Sequence, residues 1–218
     1  KEISLKAYFF YRRIYMIKRL VVGPLQENCY IVSCGHTCVI IDPGDEANHI
    51  IQEIETDHLE VKGILVTHGH FDHIGAVNEL KAYYHTDVYA TKDSKDMMLN
   101  WDENLSVMIG GEKYIVEDVQ IINDTIMLEG MNFKVYETPG HAKGSCLYYY
   151  EQENALFTGD TLFRGGCGRI DFPTGSQSAM MKSLSKIKQF KFDADVYPGH
   201  GPQSKISVEK RNNPYLSF

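Results

Sequence analysis

Four short apolar runs, GILVT (63–67), FKVYET (133–138), ALFTG (155–159) and DVYPG (195–199), each lead to a glycine beside a histidine or an aspartate. The junctions read THGHFDH (67–73), TPGH (138–141), TGD (158–160) and PGH (198–200). Runs rich in Val, Ile, Phe and Tyr that stop at turn residues have the character of β-strands. Loops at strand ends are where chemistry-bearing side chains collect on a rigid scaffold. A fold that hosts this chain therefore has to let four strands deliver their terminal residues to one sheet edge.

Other runs complete the strand set: IKRLVV (17–22), CYIVS (29–33), CVIID (38–42), VQIIN (119–123) and CLYYYE (146–151). Helical spacing of apolar residues occurs over 46–56, 73–85 and 176–190, while 91–118, around Trp101, reads as a helix plus an irregular loop. Several strands are almost continuously apolar, which predicts cover on both faces: a pair of sheets with helices outside, an α/β arrangement. The tyrosines at 148–150 are expected to alternate between core and solvent. No Pro/Gly/Ser-rich linker or fixed-period repeat divides the 218 residues, so one domain is expected over 16–218. Residues 1–15 (KEISLKAYFFYRRIY) read as an N-terminal extension translated from upstream or appended, with an extra strand as the competing view. AYFFY, followed by two arginines, is too short for a signal-peptide core.

A net charge of −7 argues against a general nucleic-acid or membrane-surface role. No run approaches the ~18 apolar residues of a membrane span. The five cysteines form no dense framework, and the Cys34–Cys38 spacing lacks the second pair that a zinc knuckle needs. They read as free thiols of a cytoplasmic protein. Neither nucleic acid nor a membrane is therefore the expected partner.

Three of the nine histidines fall between His68 and His73. H-x-H-x-D-H offers nitrogen and oxygen ligands in a mixture that suits zinc, iron or manganese better than calcium. With the other three junctions the candidates are His68, His70, Asp72, His73, His141, Asp160 and His200. Seven ligands are too many for one tetrahedral ion and natural for two divalent ions, with zinc expected first and iron or manganese open. His68, His70 and His141 would take one metal, Asp72, His73 and His200 the other, and Asp160 would bridge. Two cations about 3.5–4 Å apart can hold a shared hydroxide at neutral pH.

In this order, THGHFDH, TPGH, TGDTLF and YPGHG resemble the metallo-β-lactamase superfamily, over about residues 17–213. The resemblance implies an αββα four-layer sandwich, the metals at one edge of the sheet pair, and the ligand division just given. TGDTLFRGGCGR (158–169) is similar to the segment that glyoxalase II-type thioesterases place beside the thioester. GRIDFPTG (168–175) and the ending GHGPQSKISVEKRNNPYL (199–216) resemble their single-domain bacterial members. The implied activity is thioester hydrolysis by a metal-bridging hydroxide, with Asp72 ligating a metal and orienting or accepting the hydroxide proton. True lactamases usually carry cysteine where Asp160 stands, which disfavours β-lactam hydrolysis.

Relative to glyoxalase II, Arg169 retains a basic position, but Asp171 and Pro202 replace two tyrosines. Arg169, Arg164 and Lys143 are candidate contacts for substrate anions. Cys167, close to the motifs, reads as small-residue packing, and His36, His49, His58 and His85 as surface residues. Two competitors are a persulfide dioxygenase, with one iron on His68, His141 and Asp160, and a non-catalytic metal-binding module.

Overall fold

Period-two alternation sorts the strand side chains into separate cores. The structure, a computed structural model, describes residues 15–216. In β2 (Glu27–Cys34), Cys29 and Ile31 point to one core while Tyr30 and Val32 point to another. β3 (Thr37–Ile41) divides likewise, Cys38 and Ile40 against Val39 and Ile41. β9 (Cys146–Tyr150) shares Tyr148 and Tyr150 with that second core and sends Leu147 and Tyr149 to a third.

These strands belong to two six-stranded sheets. The first runs β1 (Tyr15–Val22), β2, β3, β4 (Glu60–Leu65), β5 (Val88–Ala90), β6 (Val119–Ile121), parallel from β3 onward. The second runs β12 (Ser204–Lys205), β11 (Asp195–Pro198), β10 (Ala155–Gly159), β9, β8 (Met131–Glu137), β7 (Thr125–Leu128), with only β10 and β11 parallel. The middle core lies between the sheets, with Phe133 stacked on Tyr150 and Tyr30 edge-on to Phe157.

Helices cover the outer faces. α1 (Ala47–Thr56) buries Ile50, Ile51 and Ile54 on the first sheet, beside Val77 and Leu80 of α3 (Val77–Tyr84). α6 (Gln177–Lys188) is capped by the Ser176 hydroxyl, which accepts from Ala179 N, and buries Met180, Leu184 and Ile187 on the second sheet. α7 (Ile206–Asn212) adds Ile206 to that layer. Each such side chain contributes about 1.5–3 kcal/mol relative to remaining in water. The result is the expected four-layer αββα sandwich.

The structure departs from the sequence reading in three places. The helix expected over 73–85 is two, α2 (Phe71–Ile74) and α3. Between them a Cβ on Gly75 would come 2.3 Å from Gly44 O, and Ala76 N donates to Pro43 O at 3.0 Å. The chain therefore breaks its helix to dock on the loop after β3. The short strands β5, β7 and β12, of three, four and two residues, carry too little pattern to be seen in sequence. Tyr148, Tyr149 and Tyr150 are all buried, because α6 and Phe192 cover the face of β9 that solvent was expected to reach.

The segment 91–118 holds α4 (Lys92–Met98), α5 (Ser106–Ile109) and irregular turns, much as expected. Tyr15 already pairs with Cys34 in the first sheet, and the rest of the expected extension lies outside the described residues. Among the described residues no helix is long and apolar enough to cross a membrane, and all five cysteines are free.

Candidate metal centre

The four junctions meet where β4 of one sheet and β8, β10 and β11 of the other come to their carboxyl ends. Direct bonds between the sheets fix them there. Cys146 N donates to Thr67 O at 2.9 Å and the Tyr148 hydroxyl to Val66 O at 2.8 Å. On the far side, the Tyr30 hydroxyl and Asn28 Nδ2 donate to Pro198 O at 2.6 and 2.8 Å, just before His200.

His68 and His70 follow β4, and the single turn of α2 presents Asp72 and His73 to the same pocket. His141 enters from the turn after β8, Asp160 from the end of β10 and His200 from the end of β11. Two glycines make the approach possible. Gly159 has φ +45°, and a Cβ there would sit 2.3 Å from Thr67 Oγ1. A Cβ on Gly199 would sit 2.4 Å from Asp160 Oδ1 and 2.6 Å from His73 Cε1.

The ligand atoms form two triads. His68 Nε2 is 3.1 Å from His70 Nδ1, which is 2.9 Å from His141 Nε2. Asp72, His73 and His200 form the other, with His200 Nε2 3.3 Å from Asp72 Oδ2. Asp160 lies between them. Its Oδ1 is 3.4 Å from His73 Nε2, and its Oδ2 is 3.5 Å from His141 Nε2 and 3.7 Å from His200 Nε2. All seven sequence candidates are thus brought together, and His68 also lies within reach of His73 and Asp160.

Neighbouring groups decide which nitrogen each imidazole presents. His141 Nδ1 donates to Arg169 O at 2.7 Å, His200 Nδ1 to Leu25 O at 3.2 Å and His73 Nδ1 to Asp42 Oδ2 at 3.0 Å. His68 Nδ1 donates to Thr67 Oγ1 at 3.2 Å, whose hydroxyl donates onward to Asp42 Oδ2 at 2.5 Å. These four rings therefore keep a proton on Nδ1 and turn Nε2 inward, where a bound cation would meet it.

Burial drives His68 well below the ordinary histidine range, and drives His70 down to about 3 with help from His141. Burial disfavours charge on His73 too, but Asp160 and Asp42 outweigh it and hold that ring well above the usual value. Burial pushes the Asp72 carboxyl up, yet its bond with His200 and the charge of His73 win and keep it low. Asp160 is likewise held low by His73, His141 and His200 against its burial.

This donor set fits divalent cations. Bare nitrogens crowded at 2.9–3.1 Å stand near the ~3.3 Å spacing of ligands around one tetrahedral ion with bonds of about 2.0 Å. His73 Nε2 and Asp160 Oδ1 are buried and face each other without a hydrogen-bond partner, which a cation would satisfy. Asp42 is the outer support that orients His73 and, through Thr67, His68.

Asp42 escaped the sequence reading although it ends CVIID and precedes Pro-Gly, the same signature as the four junctions. Glu27, 1% exposed and 3.7 Å from His73 Nδ1, left no such signal. Of the three expected substrate cations only Arg169 lines the cleft over the centre, a space of about 600 Å³. Lys143 pairs with Glu103 at 2.5 Å and borders a different cavity, and Arg164 is exposed outside the cleft lining. Cys167 is half-buried against the third core, and the four remaining histidines are exposed.

Known proteins agree with this geometry. The profile of the metallo-beta-lactamase superfamily matches residues 22–200. The hydroxyacylglutathione hydrolase GloC of Haemophilus influenzae is 31% identical over 211 residues, covering 92% of this chain and 98% of that protein. A crystal structure of TTHA1623 in a di-iron-bound form superposes with a TM-score of 0.82 at 35% identity, covering 91% of this chain and all of that one. The BLEG-1 B3 metallo-beta-lactamase superposes with a TM-score of 0.87 at 32% identity, covering 93% of this chain and all of that one.

Proposed function

The chain belongs to the metallo-beta-lactamase superfamily, and on that premise we propose that it is a metal-dependent hydrolase whose substrates are thioesters. The observation that carries this reading is Asp160, a carboxylate set between two complete triads. Similarity to a hydroxyacylglutathione hydrolase supports the choice of thioester.

His68, His70 and His141 would hold one divalent ion, Asp72, His73 and His200 a second, and Asp160 would bridge. Bound there, the ions supply Lewis acidity and lower the pKa of water to near neutrality. Asp72 lies at the cleft floor with Oδ2 3.3 Å from His200 Nε2, placed to take a proton from an attacking water. Asp42 keeps His73 and His68 aimed inward throughout. No proton donor is needed for the leaving group, because thiols ionise near pH 8.5, within reach of neutral pH. Among the described residues the cleft lining contains none beyond the ligands and Arg169.

Metal content and a substrate panel on the same purified protein test the reading. About two metal ions per chain with hydrolysis of S-lactoylglutathione or another small thioester is the expected result. One iron per chain with oxygen consumption on glutathione persulfide would replace it with a dioxygenase. Turnover of a chromogenic cephalosporin with no thioester turnover would make the chain a lactamase.

A further inference from the structure

The wall of the cleft is apolar where a substrate would lie. Leu25, Met108, Ile109, Phe163 and Phe172 line it together with the ligand residues. Met108 is 62% exposed and Leu25 48%, so large apolar surface is left in water at the mouth. Apolar surface gathered beside a site with a few fixed polar groups is the signature of a ligand with an apolar body.

Arg169 is the sole Lys or Arg among the described lining residues, and its charge is already matched. Its Nε and Nη2 donate to Asp171 Oδ1 and Oδ2, both at 2.7 Å. The guanidinium lies 4.3 Å above the Phe172 ring, and the Arg169 carbonyl is anchored by His141 Nδ1. Both side chains are more than half exposed, and an exposed pair is weak by itself. Two features strengthen this one: the fork-on-fork geometry and the aromatic platform beneath. A carboxylate tethered two residues away also has a high effective concentration, against which a dissolved carboxylate competes poorly.

We propose that the cleft takes thioesters whose acyl and thiol halves are both apolar and uncharged, and that Asp171 sets this preference by occupying the Arg169 guanidinium. The inference rests on the thioesterase reading and narrows it. A thiol that carries a carboxylate, such as glutathione, meets one cation among the described lining residues, Arg169, which Asp171 already pairs. Asp171 is a specificity-determining residue in this scheme and takes no part in bond cleavage.

The test compares S-butanoyl-N-acetylcysteamine with S-lactoylglutathione on the metal-loaded protein. The parent is expected to favour the uncharged ester by about ten-fold or more in kcat/KM. Asp171→Ala should shift the ratio toward the glutathione ester about three- to five-fold through KM, the scale of one exposed ion pair. Adding Arg169→Met should cancel that shift, which a loosened loop alone would not do. Titration calorimetry with S-methylglutathione reads the same change without turnover: Asp171→Ala binds several-fold tighter than the parent, and the double variant does not. Preference of the parent for the glutathione ester overturns the inference alone. So does an Asp171→Ala protein that binds S-methylglutathione no better than the parent. Turnover of no thioester overturns the thioesterase reading and this inference with it.

Discussion

Asp42 Oδ2 accepts from His73 Nδ1 at 3.0 Å and from the Thr67 hydroxyl at 2.5 Å, while Thr67 N donates to its Oδ1 at 2.6 Å. One carboxylate at the end of β3 thus ties down the turn that carries four of the seven candidate ligands. It orients His73 directly and His68 through Thr67, one ligand in each triad.

Asp42→Asn keeps the size of the side chain but weakens its acceptance from His73 and Thr67. Metal affinity should fall about 10- to 100-fold, as for other outer supports of ligating histidines. Competition with a chromophoric chelator measures this. An unchanged affinity at both sites would show that the turn is held without Asp42.

Asp160→Ala removes a carboxylate that lies within 3.4–3.7 Å of ligand nitrogens in both triads. Occupancy of both sites should drop in the purified protein, and thioester turnover should fall by at least about 100-fold, since a metal pair acts as a unit. Elemental analysis and a turnover assay on one sample decide it. Full occupancy with retained activity would contradict the bridging role.

Most of the centre was legible in the sequence, for a physical reason. A ligand that leaves a strand end for a crowded centre needs its chain to pass close to neighbouring segments, which glycine permits, so each ligand except those on α2 sits beside a glycine. The strands of the cores were legible because strands covered on both faces read as short continuous apolar runs such as CLYYY and ALFTG. β12, of two residues, is too short to carry a period, and β5 and β7 are little longer. The break between α2 and α3 was hidden because its cause, the close approach of Gly44 O to Gly75, is a contact between distant segments. The Arg169–Asp171 pair was hidden for another reason: local sequence shows both charges but not that one forks onto the other.

Gly199→Ala tests how tightly the centre is closed. Its Cβ would stand 2.4 Å from Asp160 Oδ1 and 2.6 Å from His73 Cε1, inside van der Waals contact with two candidate ligands. The variant should retain its far-ultraviolet dichroism but bind less metal, and lose about 1–3 kcal/mol of stability to overpacking. Normal metal content would mean that β10 and β11 can part at this point.

Glu27 provides a test by pH. It is 1% exposed, and neither carboxylate oxygen has a hydrogen-bond partner. Burial raises its pKa well above the ordinary 4.5; the charge of His73 opposes this, and Asp42, Asp72 and Asp160 reinforce it. In the unfolded chain the group ionises near 4.5, whereas in the folded chain it holds its proton to higher pH. The stability it contributes is therefore fully present below about pH 4.5 and is lost progressively as pH rises toward the folded value. Glu27→Gln removes the titration and keeps the shape. In chelator-treated protein the variant should gain on the parent as pH rises from 4.5 to 8, reaching about 1–3 kcal/mol, the scale of an unsatisfied buried polar group. For a chain of this length that is a difference of several degrees in Tm, about 2–4 °C for each kcal/mol. Parallel Tm profiles for parent and variant across that range would show that Glu27 ionises in the folded protein as it does in the unfolded chain.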